Sequence, residues 1–458
     1  MQLAGLAREI YDSVKDLPII SPHGHVDPIL LLEDLPLGEP STALIRPDHY
    51  ITRLMHTHGF DYRGFKFGST LDPEEGRSIF LEFARFLPML AGTTVAYWLD
   101  DQFKENFLLS FEEVIASPSQ AYDKISVALL SSEFTPSAIL NRANVAVLAT
   151  TDSYSSDITL HRKIAEMGRV KASVKPAFRP EGLFDIGSAQ WLIEVERLSA
   201  AVDIEINTFS DLKAALWKSI EYFVENGAIS IDISPRTFEA RLLSEFILED
   251  IFFRRVNGGV EQLSSGESEA FMANMTYLLI ELACDFSLPI TLHPGIIRNH
   301  HLETLESYGQ DKGGDIPRHV LVTDALSEVL NRFGRSQSLK LTLFTVDETI
   351  YSRELAPLAG FYPSTYIGYP WWFIDSPQGL YRFFDAVVPQ VGFYKLSGFI
   401  DDTRALLSIP TRHKMARLSE ASYLAKMVEV GYLTRERAFT IALDLVTKIP
   451  RRCFSIDE

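Results

Sequence analysis

Two histidines stand one residue apart in "ISPHGHVDP", just after the apolar run Leu17 to Ile20. Along an extended strand, positions i and i+2 share a face, so His23 and His25 aim both imidazoles at one point. Gly24 between them adds no bulk and lets the backbone turn or approach closely. Two imidazoles at a strand end suit a divalent cation; the other reading is a pair of hydrogen-bonded loop histidines. Further ionisable groups end β-like runs downstream: Asp152, Arg179, Asp232, His293, Asp347 with Glu348, and Asp401 with Asp402. Singly, some have plain roles open to them, such as helix capping by Asp152 or local ion pairs of Asp347 and Glu348. Together they outline a polar site.

The elements that must position these groups repeat along the chain. Short runs read as strands: "LPIISPHGH", "NVAVLATTD", "VKASVKPAF", "AISIDIS", "LPITLHPG", "LKLTLFTVDE" and "GFYKLSGFIDD". Helical patterns separate them, for example "FSDLKAALWKSIEYFVENG", with Ser210 as its expected N-cap and Gly227 as its stop. Strand-then-helix units predict an α/β fold with a parallel sheet. Seven or eight such units favour a (β/α)8 TIM-type barrel. The alternative is an open doubly wound sheet, but no GxGxxG follows an early strand. The stretch 30–140 is too long for one crossover and reads as a mostly helical insertion after the first strand, within one barrel domain spanning 1–458. In such a barrel the C-terminal strand ends carry the chemistry.

Composition narrows the function classes. Apolar residues make up 46% of the 458, enough for a sizeable core. A formal charge of -18 argues against a nucleic-acid partner, whose phosphates demand a basic footprint, but a few cleft arginines can still serve a small anion. Two cysteines, Cys284 and Cys453, exclude a disulfide framework, and Cys284 falls in an apolar helical pattern that marks it as core. No long uncharged apolar run predicts a membrane span, and residues 6–15 read as an amphipathic helix rather than a signal peptide, so the expected location is the cytoplasm.

The stretches "SPHGHVDP", "RPDHY", "LHPGIIRNHH", "YPWWFIDSPQG" and "DDTRALLSIPTRH" follow one another from residue 17 to about 420. In kind and order they resemble the signature stretches of the uronate isomerases, a family of the amidohydrolase superfamily. The resemblance implies an amidohydrolase-like barrel and an aldose–ketose isomerase that interconverts D-glucuronate with D-fructuronate, and D-galacturonate with D-tagaturonate, through an enediol. It implies a divalent metal, Zn2+ first with Mn2+ or another ion as the alternative, bound by His23, His25 and Asp402. Asp402, in Asp402-Thr403-Arg404, matches a strand-eight Asp that is a metal ligand, the proton-transferring base, or both. Tyr50 and His293 match family active-site positions. Arg404, Arg179 and Arg298 match substrate-side arginines, and Arg353 aligns more loosely with another. Trp371 and Trp372 offer flat walls for a sugar ring, and His413 reads as structural. The implied partner is a small sugar acid, and a homo-oligomer is compatible with it.

One position departs from the family pattern. Where Asp-His-Gly is usual at the end of the fifth strand, this chain has Asp232-Ile233-Ser234, and isoleucine can neither bind a metal nor donate a proton. Two other readings follow. One is a metal-dependent hydrolase on the same barrel, for which the bridging fourth-strand lysine of binuclear sites has only Lys171 and Lys175 as poor candidates. The other is a paralogue with altered or lost activity, motivated by Ile233.

Overall fold

The computed structural model describes residues 3–236 and 238–457. Its main sheet has seven parallel strands in chain order: β1 (Ile19–Ser21), β2 (Val145–Ser153), β3 (Ser173–Arg179), β4 (Ser230–Ile233), β5 (Ile290–Leu292), β6 (Leu341–Leu343) and β7 (Thr365–Ile367). Consecutive parallel strands need helical crossovers, and neighbours in chain order with one handedness curl the sheet into a barrel. The strands are near-continuously buried, as expected when helices cover the outside and side chains fill the inside.

The eighth position is filled without a regular strand. Leu396 makes a single parallel bridge to Ile367, and Ser397 N–H donates to Ile367 O at 2.9 Å. On the other side His25 N–H donates to Thr403 O at 3.0 Å. Both sheet edges therefore lean on the segment 396–403, which closes the ring. The expected strand "GFYKLSGFIDD" is thus corrected. Its start is a 3-10 turn, Phe393–Lys395, and left-handed backbone at Gly398 (φ 78°) and Asp402 (φ 46°) interrupts extension. A strand not foreseen, β7, is only three residues long and lies between Pro363 and Pro370. Asp232 and Ile233 end the fourth strand rather than the fifth, and Lys175 lies on the third rather than the fourth.

Between β1 and β2 the described chain is helical, from Pro28–Glu33 through Thr94–Phe107 to Pro136–Arg142. Local signals start several helices: reciprocal capping boxes stand at Asp72/Glu75, Ser110/Glu113 and Ser264/Glu267. For helix Phe209–Glu225 the cap is Thr208, boxed with Asp211, instead of the expected Ser210. This helical segment is tied to the long C-terminal helix Ser408–Glu429 by Trp98, whose indole N–H meets Met415 Sδ at 3.2 Å. No described helix is long and apolar enough to cross a membrane.

Candidate active site

The C-terminal strand ends open into one cavity, lined by histidines, aspartates, arginines and two tryptophans. His23 and His25 follow β1 in a non-regular turn, and Thr151 of β2 pins that turn by donating to Gly24 O at 2.8 Å. Both imidazoles converge on a residue almost a whole chain away. His25 Nε2 lies 2.9 Å and His23 Nε2 3.4 Å from Asp402 Oδ1. That oxygen is buried and accepts no well-angled hydrogen bond, so three donor atoms face one point without satisfying one another. This set, two imidazoles and a carboxylate with ligand atoms within 4.8 Å of each other, fits a divalent cation.

His23 also faces a second carboxylate. Its Nδ1 is 3.9 Å from Asp232 Oδ1, which His293 Nδ1 approaches to 3.1 Å, while Arg179 Nη1 is 3.6 Å from Oδ2. Burial alone would raise both aspartates. Contacts from His23 and His25 nevertheless hold Asp402 well below the usual carboxylate range, and His23, His293 and Arg179 do the same for Asp232. Burial lowers His25 and His293; for His23 the two aspartates outweigh burial and raise it. His293 is wedged flat against Phe344 (ring centroids 4.6 Å) and edge-on to Trp371. Gly368 makes room for this stack, since a Cβ there would come within 2.1 Å of the Phe344 ring.

The rim is cationic but paired. Arg179 donates to Glu181 at 2.8 Å; Arg298 contacts Asp315 at 3.2 Å and donates to Ser234 Oγ at 3.1 Å. Arg404 donates through Nη2 to Asp311 at 2.9 Å and through Nη1 to His49 Nδ1 at 3.0 Å. Asp311 and Asp315 arrive on a long excursion after β5, gathered at its base by a two-stranded ribbon, Ile296–Ile297 with Ile316–Pro317. Trp372 forms a wall with φ 58°, a strained value for a bulky residue, held between Tyr50 (4.2 Å) and His49 (4.4 Å).

His23, His25, Asp402, His293, Arg179, Arg298, Arg404, Trp371 and Trp372 therefore share one cavity. Two expected residues do not line it. Tyr50 lies behind Trp372, its ring under the Arg412 guanidinium (4.6 Å) and its hydroxyl buried. Arg353 sits in the turn Tyr351–Leu355, half exposed and paired with Glu354 at 2.9 Å, because that turn carries it outward. His413 holds Asp401 at 3.0 Å, a structural contact. Sequence reasoning passed over His49, Asp311, Asp315 and Ser234 as site residues. His49 had a signal: it follows Asp48, the N-cap of helix His49–Thr57, so it opens that helix at the cavity. Ile233 is fully buried between Asp232 and Ser234, which both line the cavity, so strand alternation turns it away. The side chain at this position does not line the cavity.

Comparison with known proteins places the chain. The family model described as glucuronate isomerase matches residues 2–451. A uronate isomerase of Corynebacterium efficiens is 36% identical over 452 residues, 98% of this chain and 96% of that protein. The glucuronate isomerase structure from Caulobacter crescentus superposes with a TM-score of 0.93 at 34% identity, covering 99% of this chain and 94% of that one. The uronate isomerase structure from Thermotoga maritima gives 0.91 at 25% identity, covering 99% and 100%. With its barrel, its His–His–Asp cluster and full-length matches of this strength, the chain belongs to the glucuronate isomerase family.

Proposed function

We propose that this isomerase interconverts D-glucuronate with D-fructuronate, and D-galacturonate with D-tagaturonate. The observation that carries the reading is Asp402: a partly buried, ionised carboxylate faces the cavity two residues from Arg404 and in contact with both turn histidines. An aldose–ketose exchange moves one proton from C2 to C1 and a second from O2 to O1, with an enediol between. Asp402 takes the C2 proton and returns it at C1, a task for a positioned carboxylate. Its Oδ1 faces the histidines, which leaves Oδ2 for the proton. His293, fixed by Asp232 and Phe344, stands beside this carboxylate as a hydrogen-bonding partner for sugar oxygens. Arg179, Arg298 and Arg404 receive the anionic sugar acid, exchanging contacts with Glu181, Asp315 and Asp311 for contacts with carboxylate and hydroxyl oxygens. Trp371 and Trp372 supply flat walls. Tyr50 acts from behind, seating Trp372, and Arg353 has no part.

His23, His25 and Asp402 hold the divalent cation, Zn2+ by donor type with Mn2+ as the alternative. When bound, it supplies Lewis-acid polarisation of substrate oxygens. The lining also balances with it: four aspartates (232, 311, 315, 402) face three arginines (179, 298, 404), so one more carboxylate is better received beside a cation.

Proton NMR in D2O with D-glucuronate, then D-galacturonate, tests the reading with and without Zn2+ or Mn2+. Ketose signals are expected, with deuterium at C1 reporting exchange of the transferred proton. No ketose under any metal condition overturns the substrate assignment.

A further inference from the structure

His49 combines three placements that none of its neighbours shares. It is the first residue of helix His49–Thr57, it lines the cavity, and its Nδ1 is 3.0 Å from Arg404 Nη1. A guanidinium has donors only and keeps its proton in proteins. In this contact Arg404 must therefore donate and Nδ1 must accept. An imidazole whose Nδ1 accepts is neutral and carries its single N–H on Nε2. None of the described hydrogen bonds uses that Nε2. Turning the ring over would bring Cδ2, not the other nitrogen, to face Arg404, and Trp372 and Tyr50 pack against the ring with centroids 4.4 and 5.3 Å away. Arg404 is itself held through its other terminal nitrogen by Asp311 at 2.9 Å.

We propose that His49 is a catalytic hydrogen-bond donor: a neutral imidazole, locked as the Nε2–H tautomer by Arg404, that polarises a carbonyl or enediolate oxygen of the sugar acid. Its proton stays on the imidazole and it transfers nothing: the C2-to-C1 proton remains with Asp402, and O2 loses its proton to solvent water as O1 gains one from it. A neutral imidazole near a helix N-terminus is suited to this role, since the helix end favours developing negative charge and disfavours the imidazolium. The environment agrees with the geometry: burial, then the Arg404 charge, lower the His49 pKa, while Asp311 and Asp402 oppose and Arg412 reinforces the shift. The role rests on the isomerase reading above; the tautomer does not.

Long-range 1H–15N correlation on the full chain with labelled histidine tests the tautomer, with His49→Gln identifying the signal. The expected spectrum shows Nδ1 unprotonated, Nε2 protonated and no titration between about pH 5.5 and 8. A titrating His49, or a proton on Nδ1, overturns the proposal. Kinetics test the role. His49→Leu should lower kcat on the order of a hundredfold, the cost of one preorganised donor, with KM little changed. His49→Gln can accept from Arg404 and still donate, and should recover at least about tenfold of that loss. A loss confined to KM, or Gln no better than Leu, overturns it. If the variants do not fold, the wild-type spectrum decides. Absence of wild-type turnover on uronates would count against the substrate assignment, while the tautomer is read independently.

Discussion

Two carboxylate clusters, one lining the cavity (the front cluster) and one buried around Arg412 (the rear cluster), differ in what gathers them. In front, Asp402 and Asp232 are approached by imidazole nitrogens at 2.9–3.4 Å and 3.1–3.9 Å, and both are held well below the normal carboxylate range. Behind, Asp48 and Asp375 surround the fully buried Arg412 at 3.6 and 3.8 Å. There burial wins: Asp48 is raised, and Asp375 is pushed up to about 8. One fixed guanidinium shared among Tyr50, Trp98, two aspartates and the Asp401 carbonyl cannot offset desolvation at both carboxylates. The rear cluster brings its own cation and organises loops. The front cluster offers donors that face one another, the arrangement of a site that takes its cation from outside.

Breaking the front cluster should have the largest effect on chemistry and little on folding. Asp402→Asn is expected to lower kcat on the order of a thousandfold, with the far-UV circular dichroism spectrum retained and bound metal, read by elemental analysis, reduced. Breaking the rear cluster should do the reverse. Arg412→Met leaves Asp48 and Asp375 without their cation and should cost about 3–5 kcal/mol in urea unfolding. Asp375→Asn sharpens the contrast through pH. The folded carboxyl binds its proton more tightly than the unfolded one, from 3.8 to about 8, so its stabilisation is complete below about pH 4 and lost as pH rises through about 8. The Asn variant should flatten the pH dependence of the urea midpoint across that window; an unchanged profile would remove Asp375 from the account. Tyr50→Phe asks to which cluster Tyr50 belongs. A positioning tyrosine behind Trp372 should cost less than about tenfold in kcat, whereas a proton-donating one should cost 10²–10⁴-fold, roughly. The smallest effect is expected for Ile233→Val, about 1 kcal/mol of stability with unchanged kcat, since this side chain faces the core.

Much of the front cluster was legible in the sequence. His23 and His25 stand one residue apart in the chain, Asp402 and Arg404 share a motif, and strand-then-helix repetition implies a barrel with these groups at one end. What was hidden depends on tertiary approach. Asp311 and Asp315 lie on an irregular excursion with no periodicity, and their contacts with Arg404 and Arg298 appear only once the chain is folded. Tyr50 was chosen over His49 within one motif because helix phase, set by the Asp48 cap, cannot be read from adjacency. Arg353 matched by type, but the wide turn Tyr351–Leu355 swings it outward. The last strand failed for a local reason, left-handed backbone at Gly398 and Asp402, and that break places the Asp402 carboxylate at the cavity.

The ring closure has a consequence for how the molecule comes into being. Its seam joins His25 N–H to Thr403 O, the turn after the first strand to the segment after the last. A contact between such distant parts of the chain carries a high loop-closure cost and belongs late in folding. During synthesis the histidine turn emerges early and waits for nearly the whole chain before its carboxylate exists. On the ligand set proposed above, cation affinity becomes a gauge of completion: a nascent or truncated chain lacks the third ligand, and a cation that binds only the closed ring pulls the folding equilibrium toward it.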